Sequence, residues 1–209
     1  MPLPRSTTPA CHALFYINLM IASIESIFIS NVYIFICYLW SFLIAKSDFE
    51  KNKIPNNIIL FGIGIYIFSS VSVYFFFEIH LDAGETGRSS ALWAFRPLAD
   101  TAAGALLLAI GFTLWMLRLL GAGDAKMLFP IGLILGFDYL SIFSLILLIL
   151  GAATYAIVRI PYPRSSGGSR FIERLMEIRS TGRIPYGVLL AIAFALALGR
   201  RYLAETGVY

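Results

Sequence analysis

The sequence predicts an all-α membrane protein, a polytopic bundle of about six transmembrane helices. Of its 209 residues, 59% are hydrophobic and only 13% are charged, which is about half the charged fraction of an ordinary soluble domain. Several apolar runs approach or exceed the roughly 18 to 20 residues that a helix needs to cross a bilayer. The mean hydropathy of +0.81 agrees with this class. The net charge of +4 lies mostly in loops, so it indicates membrane orientation and not a nucleic-acid-binding surface.

Six apolar segments are the predicted spans, and we expect residues 28–209 to form one integral membrane domain. Residues 1–27 are predicted to be an N-terminal tail and a lead-in segment, and a further span within residues 10–45 stays open as an alternative. Pro55 and the two asparagines after it are typical of a helix start. A short amphipathic surface helix is expected at residues 171–179. The predicted spans are residues 28–45, 57–77, 98–119, 124–137, 139–158 and 185–203.

Basic residues alternate between the predicted loops. Eleven Lys and Arg residues lie in or beside the loops after spans one, three and five, and only four lie on the opposite side. The positive-inside rule therefore predicts that these three loops are cytoplasmic. With six spans, both termini are then outside.

Two aspartates fall at the same predicted cytoplasmic face, Asp48 after span one and Asp124 at the start of span four. A carboxylate near hydrocarbon is costly and is by default a functional candidate. Two neighbouring carboxyl groups share one proton, because a second charge is expensive. The ionised group then takes a proton from water, and the protonated group donates to a substrate carbonyl oxygen. Helix capping by Asp124 is the structural alternative that the residues alone leave open.

The segment "GAGDAKM" places Gly121 and Gly123 directly before Asp124. Without a Cβ, these glycines allow a tight turn and a close approach of the backbone. The approach would admit an extended peptide or bring span four against span one. The helix start that follows places partial positive charge near Asp124, which favours its ionised form.

No cluster of metal ligands is expected in this chain. Cys11 and Cys37 stand alone without a CxxC pair, so a structural zinc site is not predicted. His80 lies near several acids in a predicted outer loop, for which a solvated loop is favoured over a metal site. Asp100 is predicted to cap the third helix, and Asp138 to lie in a short turn. The "GLILG" segment at residues 132–136 has the small-xxx-small spacing of close helix packing.

Three segments together resemble motifs of the type IV prepilin peptidases. "DFEKNKIPN" at residues 48–56 resembles the first motif, an aspartate followed six residues later by Ile-Pro-Asn. "GAGDAKM" at 121–127 resembles the Gly-x-Gly-Asp motif, and "RIPYG" at 183–187 resembles the stretch that opens the last helix. The order of the motifs also fits, and the chain is most similar to the short subfamily associated with tight-adherence (Flp-type) pili.

The resemblance implies an aspartic endopeptidase of the bacterial inner (cytoplasmic) membrane that removes the basic leader from prepilins at the cytoplasmic face. It implies Asp48 and Asp124 as the catalytic pair, with a prepilin and membrane lipid as partners, no nucleic acid, and no metal or cofactor. Longer members have a Cys-rich insert and also methylate the new pilin terminus; this chain lacks the insert, so a peptidase without methyltransferase activity is expected. The oligomeric state stays open. Supporting motif positions are Lys53, Ile54, Pro55, Asn56, Gly121, Gly123 and Lys126.

Two other classes of membrane protein share some of these features. A proton-coupled transporter or a pilus-assembly scaffold also accommodates paired acids, but a transporter is expected to carry acids near the midplane and internal repeats. Another GxGD peptidase, of the preflagellin or presenilin type, shares the second motif. The Ile-Pro-Asn segment after Asp48 favours a prepilin peptidase.

Overall fold

Five α-helices make up the residues that the computed structural model describes, which are 31–51, 53–81, 89–159 and 185–205. No strand occurs in these ranges. The predicted tail and lead-in at 1–27, the surface helix at 171–179 and Cys11 lie outside them. The helices are α1 (Asn31–Lys51), α2 (Asn56–Leu81), α3 (Ser89–Met116), α4 (Ala122–Arg159) and α5 (Tyr186–Glu205).

Within these residues, four helices are long and apolar enough to cross a membrane, which confirms the all-α membrane class. The number of six spans stays a prediction, because the apolar part of α2, Asn56–Ser72, is shorter and α4 counts as one segment. The four candidate spans are Asn31–Lys51, Arg96–Met116, Ala122–Ile157 and Tyr186–Ala204.

The first helix continues past its predicted end. The apolar run stops at residue 45, but α1 continues to Lys51, so Asp48 lies in its last turns and not in the following loop. Ile44 and Asp48 are both buried, and residues four apart share one face of a helix. Lys46 and Glu50 lie on exposed positions. Hydropathy marks where lipid contact ends, whereas the helix ends where its hydrogen bonds end.

A single glycine breaks α4. Gly136 has φ 64° and ψ 179°, a conformation that essentially only glycine adopts. The predicted boundary between spans four and five, at Asp138, therefore falls two residues from the break. The apolar run Ala122–Ile157 has 36 residues; a straight helix of that length would measure about 54 Å, well beyond the ~30 Å hydrocarbon core. The break means that α4 does not cross as one straight rod.

Small residues let α3 and α4 pack backbone to backbone. A Cβ added to Gly132 would lie 2.6 Å from the Cα of Gly104 and 2.8 Å from the carbonyl oxygen of Ala103. One added to Gly111 would lie 3.1 Å from the carbonyl oxygen of Ala125. These contacts confirm the close helix packing predicted from the small-xxx-small spacing.

Trp40 joins three helices. Its side chain is fully buried in α1, and its indole N–H donates to the carbonyl oxygen of Ile58 in α2 at 2.7 Å. Its ring meets Phe194 of α5 edge to face, with centroids 5.3 Å apart. Gly62 of α2 lies directly against the same ring, which leaves no room for a larger residue there. The middle of α1 and the start of α2 are thereby fixed against α5.

The helices α1 and α5 pack antiparallel. Near the middle of α1, Ser41 Oγ donates to the carbonyl oxygen of Ala191 at 2.8 Å. At the other end of the pair, the Tyr202 hydroxyl donates to Asn31 Oδ1 at 2.9 Å. The end of α1 therefore meets the start of α5, which brings residues far apart in sequence to one end of the bundle.

A polar cluster lies at the opposite end, around the break in α4. Asp100 is inside α3, so the prediction that it caps this helix is wrong; its carboxylate accepts from the Tyr66 hydroxyl at 3.2 Å. A Cβ on Gly136 would lie 2.7 Å from Asp100 Oδ1. Arg201 of α5 donates to the carbonyl oxygen of Ile134, just before the break, at 2.6 Å. Arg201 of α5 thus bonds to the backbone of α4 just before the break, and Asp100 of α3, which Tyr66 of α2 contacts, lies beside Gly136.

Candidate active site

The carboxyl group of Asp48 is held by the start of α5. The side chain is only 5% exposed. The backbone N–H of Val188 donates to Asp48 Oδ2 at 3.2 Å, and the N–H of Gly187 also hydrogen-bonds to this carboxylate. The first free N–H groups of a helix have no partner within it, so Asp48 satisfies donors that α5 would otherwise leave unpaired.

Asp124 lies in the first turn of α4 and is half-buried. Its carboxylate reaches back and accepts from the backbone N–H of Gly121, an arrangement like that of a capping box. The N–H of Ala125 donates to the carbonyl oxygen of Gly121 at 3.0 Å and closes the first helical turn. Asp124 therefore does cap its helix, as the structural alternative predicted. Capping uses only part of the hydrogen-bonding capacity of this carboxyl group, so an oxygen can still accept or donate elsewhere.

The two carboxyl groups lie in the same site. Asp48 is close enough to Asp124 for the two charges to repel each other. In the structure the two acids, from separate helices, thus interact electrostatically at one end of the bundle, and their catalytic pairing stays a prediction. Their repulsion is less screened than in open water, because both groups are partly withdrawn from it.

The segment after Asp48 packs against the segment before Asp124. Ile54 is buried, and a Cβ on Gly123 would lie in ordinary contact, 3.5 Å from the Cβ of Ile54. Ser47 Oγ donates to the carbonyl oxygen of Lys53 at 3.0 Å, which ties the end of α1 to the loop that follows. The first and second sequence motifs therefore form one packed unit around the acids.

The start of α2 differs slightly from its prediction. The helix begins at Asn56, so the residue before its first helical position is Pro55 and not an asparagine. The carbonyl oxygen of Pro55 accepts from the N–H of Ile58 at 3.1 Å. Lys53, Asn56 and Lys126 are exposed, so these motif side chains border the site from the solvent or headgroup side.

Gly187 and Val188 are the members of the site that sequence reasoning missed as contacts of Asp48. The "RIPYG" motif was the signal that pointed to them, but a motif does not show which distant side chain its backbone will contact. A Cβ on Gly187 would lie 2.8 Å from Asp48 Cγ. Only a glycine lets α5 begin this close to the carboxyl group.

Three other residues from the sequence analysis lie in helices. Asp138 is exposed and helical, two residues after the break at Gly136, so the prediction that it lies in a turn is wrong. Glu78 and His80 belong to the end of α2, which corrects their prediction as loop residues. Among the described residues, no three His, Cys, Asp or Glu side chains are gathered where they would hold a metal ion.

The arrangement suits acid–base chemistry at a peptide bond. One carboxyl group is fixed by two backbone amides, and the other, less buried, lies beside it. Such a pair can hold one proton and a water molecule between its oxygens, as the paired acids of aspartic proteases do. The site thus has the two groups that general acid–base hydrolysis requires.

Comparison with known proteins identifies the family. The family model described as the type IV leader peptidase family matches residues 35–157, which is more than half of the chain and includes both Asp48 and Asp124. No curated protein and no solved structure gives a significant match. The apolar helices and the family match together indicate a multi-pass membrane protein. The chain belongs to the type IV leader peptidase family and is a membrane peptidase.

Proposed function

We propose that this peptidase is an aspartic endopeptidase that removes the basic leader from type IV prepilins of the Flp type, at the cytoplasmic face of the bacterial inner membrane, for pilus biogenesis. The observation that carries the proposal is the meeting of Asp48 and Asp124. Two acids from separate helices repel each other in a poorly hydrated place, a costly arrangement that stability alone does not explain.

The two acids take different parts in the reaction. Asp48 accepts two backbone N–H groups, which favours it as the ionised member, and Asp124 carries the shared proton. This assignment reverses the expectation drawn from the helix start at Asp124, because the amides at the start of α5 act on Asp48, whereas Asp124 accepts from the Gly121 amide. Asp48 removes a proton from the water as its oxygen attacks the scissile carbonyl carbon, while Asp124 protonates the carbonyl oxygen. The tetrahedral intermediate then collapses: the C–N bond breaks, one hydroxyl proton returns to Asp124, and the proton on Asp48 goes to the leaving amine.

The membrane helps to present the substrate. A prepilin of this kind has a short basic leader ending in Gly, followed by a hydrophobic helix. That helix lies in the bilayer beside α1 and α4, while the leader stays in the cytoplasm. Binding energy from the remote helix then positions the scissile bond at the depth of the dyad.

The family match also bears on the alternatives. A transporter or a pilus-assembly scaffold is not favoured, because the chain is a member of a peptidase family. The choice among leader-peptidase substrates rests on the Ile-Pro-Asn segment at residues 54–56. We therefore retain the prepilin as the proposed substrate.

Co-expression with an Flp-type prepilin tests the proposal. Cleavage is read as a gel shift, with N-terminal sequencing of the product. Asp48→Asn and Asp124→Asn are expected to abolish cleavage with near-normal abundance, since an amide cannot exchange a proton as a carboxyl group does. Asp138→Asn, an exposed acid on the same helix as Asp124, is the matched control and retains activity. Robust turnover by the Asp124→Asn enzyme would show that the dyad is not the catalyst.

A further inference from the structure

The start of α5 contributes a third component to the site, beyond the two acids. We propose that Gly187 is a positioning residue for the peptidase reaction, which fixes the orientation of the Asp48 carboxyl group through the backbone amides at the start of α5. The inference rests on the proposed function, because it gives Gly187 a role through a catalytic Asp48.

The space around Gly187 is too small for a side chain. A Cβ on Gly187 would lie 2.8 Å from Asp48 Cγ and 2.9 Å from both its Cβ and Oδ2. Distances under 3.0 Å force a shift. Asp48 is buried, and Ser41 ties α1 to Ala191 by a buried hydrogen bond. Rotation of the carboxyl group relieves the contacts at Cγ and Oδ2 but not the one at Cβ, so the start of α5 must also shift, and the carboxyl group loses its alignment with the amides of α5.

Backbone amides of α5 hydrogen-bond to the Asp48 carboxylate. Asp48 Oδ2 accepts from the Val188 N–H at 3.2 Å, and the Gly187 N–H adds a second bond to the carboxylate. Charge-assisted bonds of this kind set geometry as well as energy. They hold the plane of the carboxylate while an oxygen remains available to a water. Without them, the plane of the carboxylate is less well fixed, because χ2 of an aspartate has a broad torsional profile.

A glycine at position 187 is explained by its neighbour and not by helix propensity. Glycine is among the poorest helix formers, yet it lies in the first turn of α5. Gly64 of α2 shows the contrast: a Cβ there would meet nothing within 4 Å. At Gly187 the missing side chain makes room for a carboxyl group, so its function is steric.

The test uses the full-length enzyme, purified and assayed on an Flp-type prepilin. Gly187→Ala is expected to lower kcat on the order of 100-fold, the loss typical of a roughly 1 Å misplacement, with KM unchanged, because the substrate's helix binds elsewhere. Gly64→Ala, which also adds one methyl group to a helix, retains the wild-type kcat. A general loss of folding would also lower the apparent kcat with KM unchanged, so kcat is expressed per folded enzyme, and thermal unfolding is measured for both variants; a wild-type kcat per folded Gly187→Ala enzyme would refute the positioning role.

A second measurement does not require a variant at Gly187. In protein labelled with ¹⁵N-valine, the amide proton of Val188 is expected to move upfield when Asp48→Ala removes its acceptor. If Gly187→Ala fails to accumulate, this shift alone supports the contact, and an unchanged resonance refutes it.

The outcomes separate the two proposals. If Asp48→Asn cleaves normally, the aspartic mechanism fails, and the positioning role fails with it. If Asp48→Asn is inactive but Gly187→Ala keeps the wild-type kcat, only the positioning role is refuted.

Discussion

Replacing Gly132 by alanine tests the packing of α3 against α4. The added Cβ would lie 2.6 Å from the Cα of Gly104, where ordinary contact begins at 3.4 Å. Its close neighbours are backbone atoms of α3, which cannot turn aside as a side chain does. The two helices therefore separate by roughly 1 Å, because ordinary carbon contacts lie at ~3.5–4.0 Å.

Two opposing effects decide the magnitude. Overpacking of this kind costs about 1–3 kcal/mol, whereas alanine is favoured over glycine inside a helix by about 1 kcal/mol. The net destabilisation of Gly132→Ala is therefore about 1 kcal/mol. Gly151 lies in the same helix with nothing within 4 Å of an added Cβ, so Gly151→Ala shows only the favourable effect. The two variants are expected to differ by about 2 kcal/mol, taking these two contributions together.

Thermal unfolding in detergent measures that difference, and cleavage measures its consequence. Each kcal/mol moves the Tm of a chain of this size by about 2–4 °C, so Gly132→Ala melts several degrees below Gly151→Ala. Its activity also falls, because Asp124 lies about 12 Å before Gly132 on the same helix arm and moves with it. Equal Tm values and equal activities for the two variants would refute the backbone contact between α3 and α4.

The remaining predictions concern topology, cofactors and substrate. Reporter fusions within residues 46–56 or 160–180 are expected to be cytoplasmic and a fusion near Gly84 external, since basic residues mark the cytoplasmic side; opposite sides for the loops that flank Asp48 and Asp124 would contradict a shared site. Cleavage is expected to survive chelators, and the enzyme is expected to transfer no methyl group from S-adenosylmethionine; inhibition by a zinc chelator that added zinc reverses would contradict this. We expect cleavage directly after the last Gly of the leader. Replacing that Gly by Val is expected to block cleavage, because a branched side chain obstructs the approach of the backbone between two carboxyl groups. A soluble peptide that contains only the leader and the cut site is expected to be cut poorly, and its efficient cleavage would argue against a membrane-anchored substrate.

The sequence predicted the helical class because that class depends on local patterns, and it also predicted that the two acids would lie near each other. Apolar runs of membrane length specify helices directly, since a spanning segment must satisfy its own backbone hydrogen bonds. The basic loops predicted that Asp48 and Asp124 lie on one side of the membrane, and in the structure the two carboxyl groups are near enough to interact electrostatically. The spacing of Gly132 and Gly136 likewise predicted close packing: Gly132 lies against the backbone of Gly104, and Gly136 against the Asp100 side chain of the same helix.

These local patterns could not predict where helices end or which distant residues are in contact. Asp100 was expected to cap α3 because the apolar part of that helix begins near it. The helix in fact begins at Ser89, and hydropathy alone does not detect its more polar first turns. The bond from Val188 to Asp48 joins residues 140 positions apart. It depends on how α1 and α5 pack, and no local pattern in either segment encodes the partner.

The pairing of α1 with α5 also has a consequence for the order of assembly. A ribosome supplies helices from the N-terminus onward, so both aspartates enter the membrane before the helix that holds one of them. Until α5 inserts, Asp48 lacks its two amide donors, and the carbonyl oxygen of Ile134 lacks the Arg201 guanidinium. Insertion of α5 completes both ends of the bundle in one step. Under the proposed mechanism, proteolytic activity therefore requires α5, and a chain that ends before α5 has both aspartates without the amides that orient Asp48.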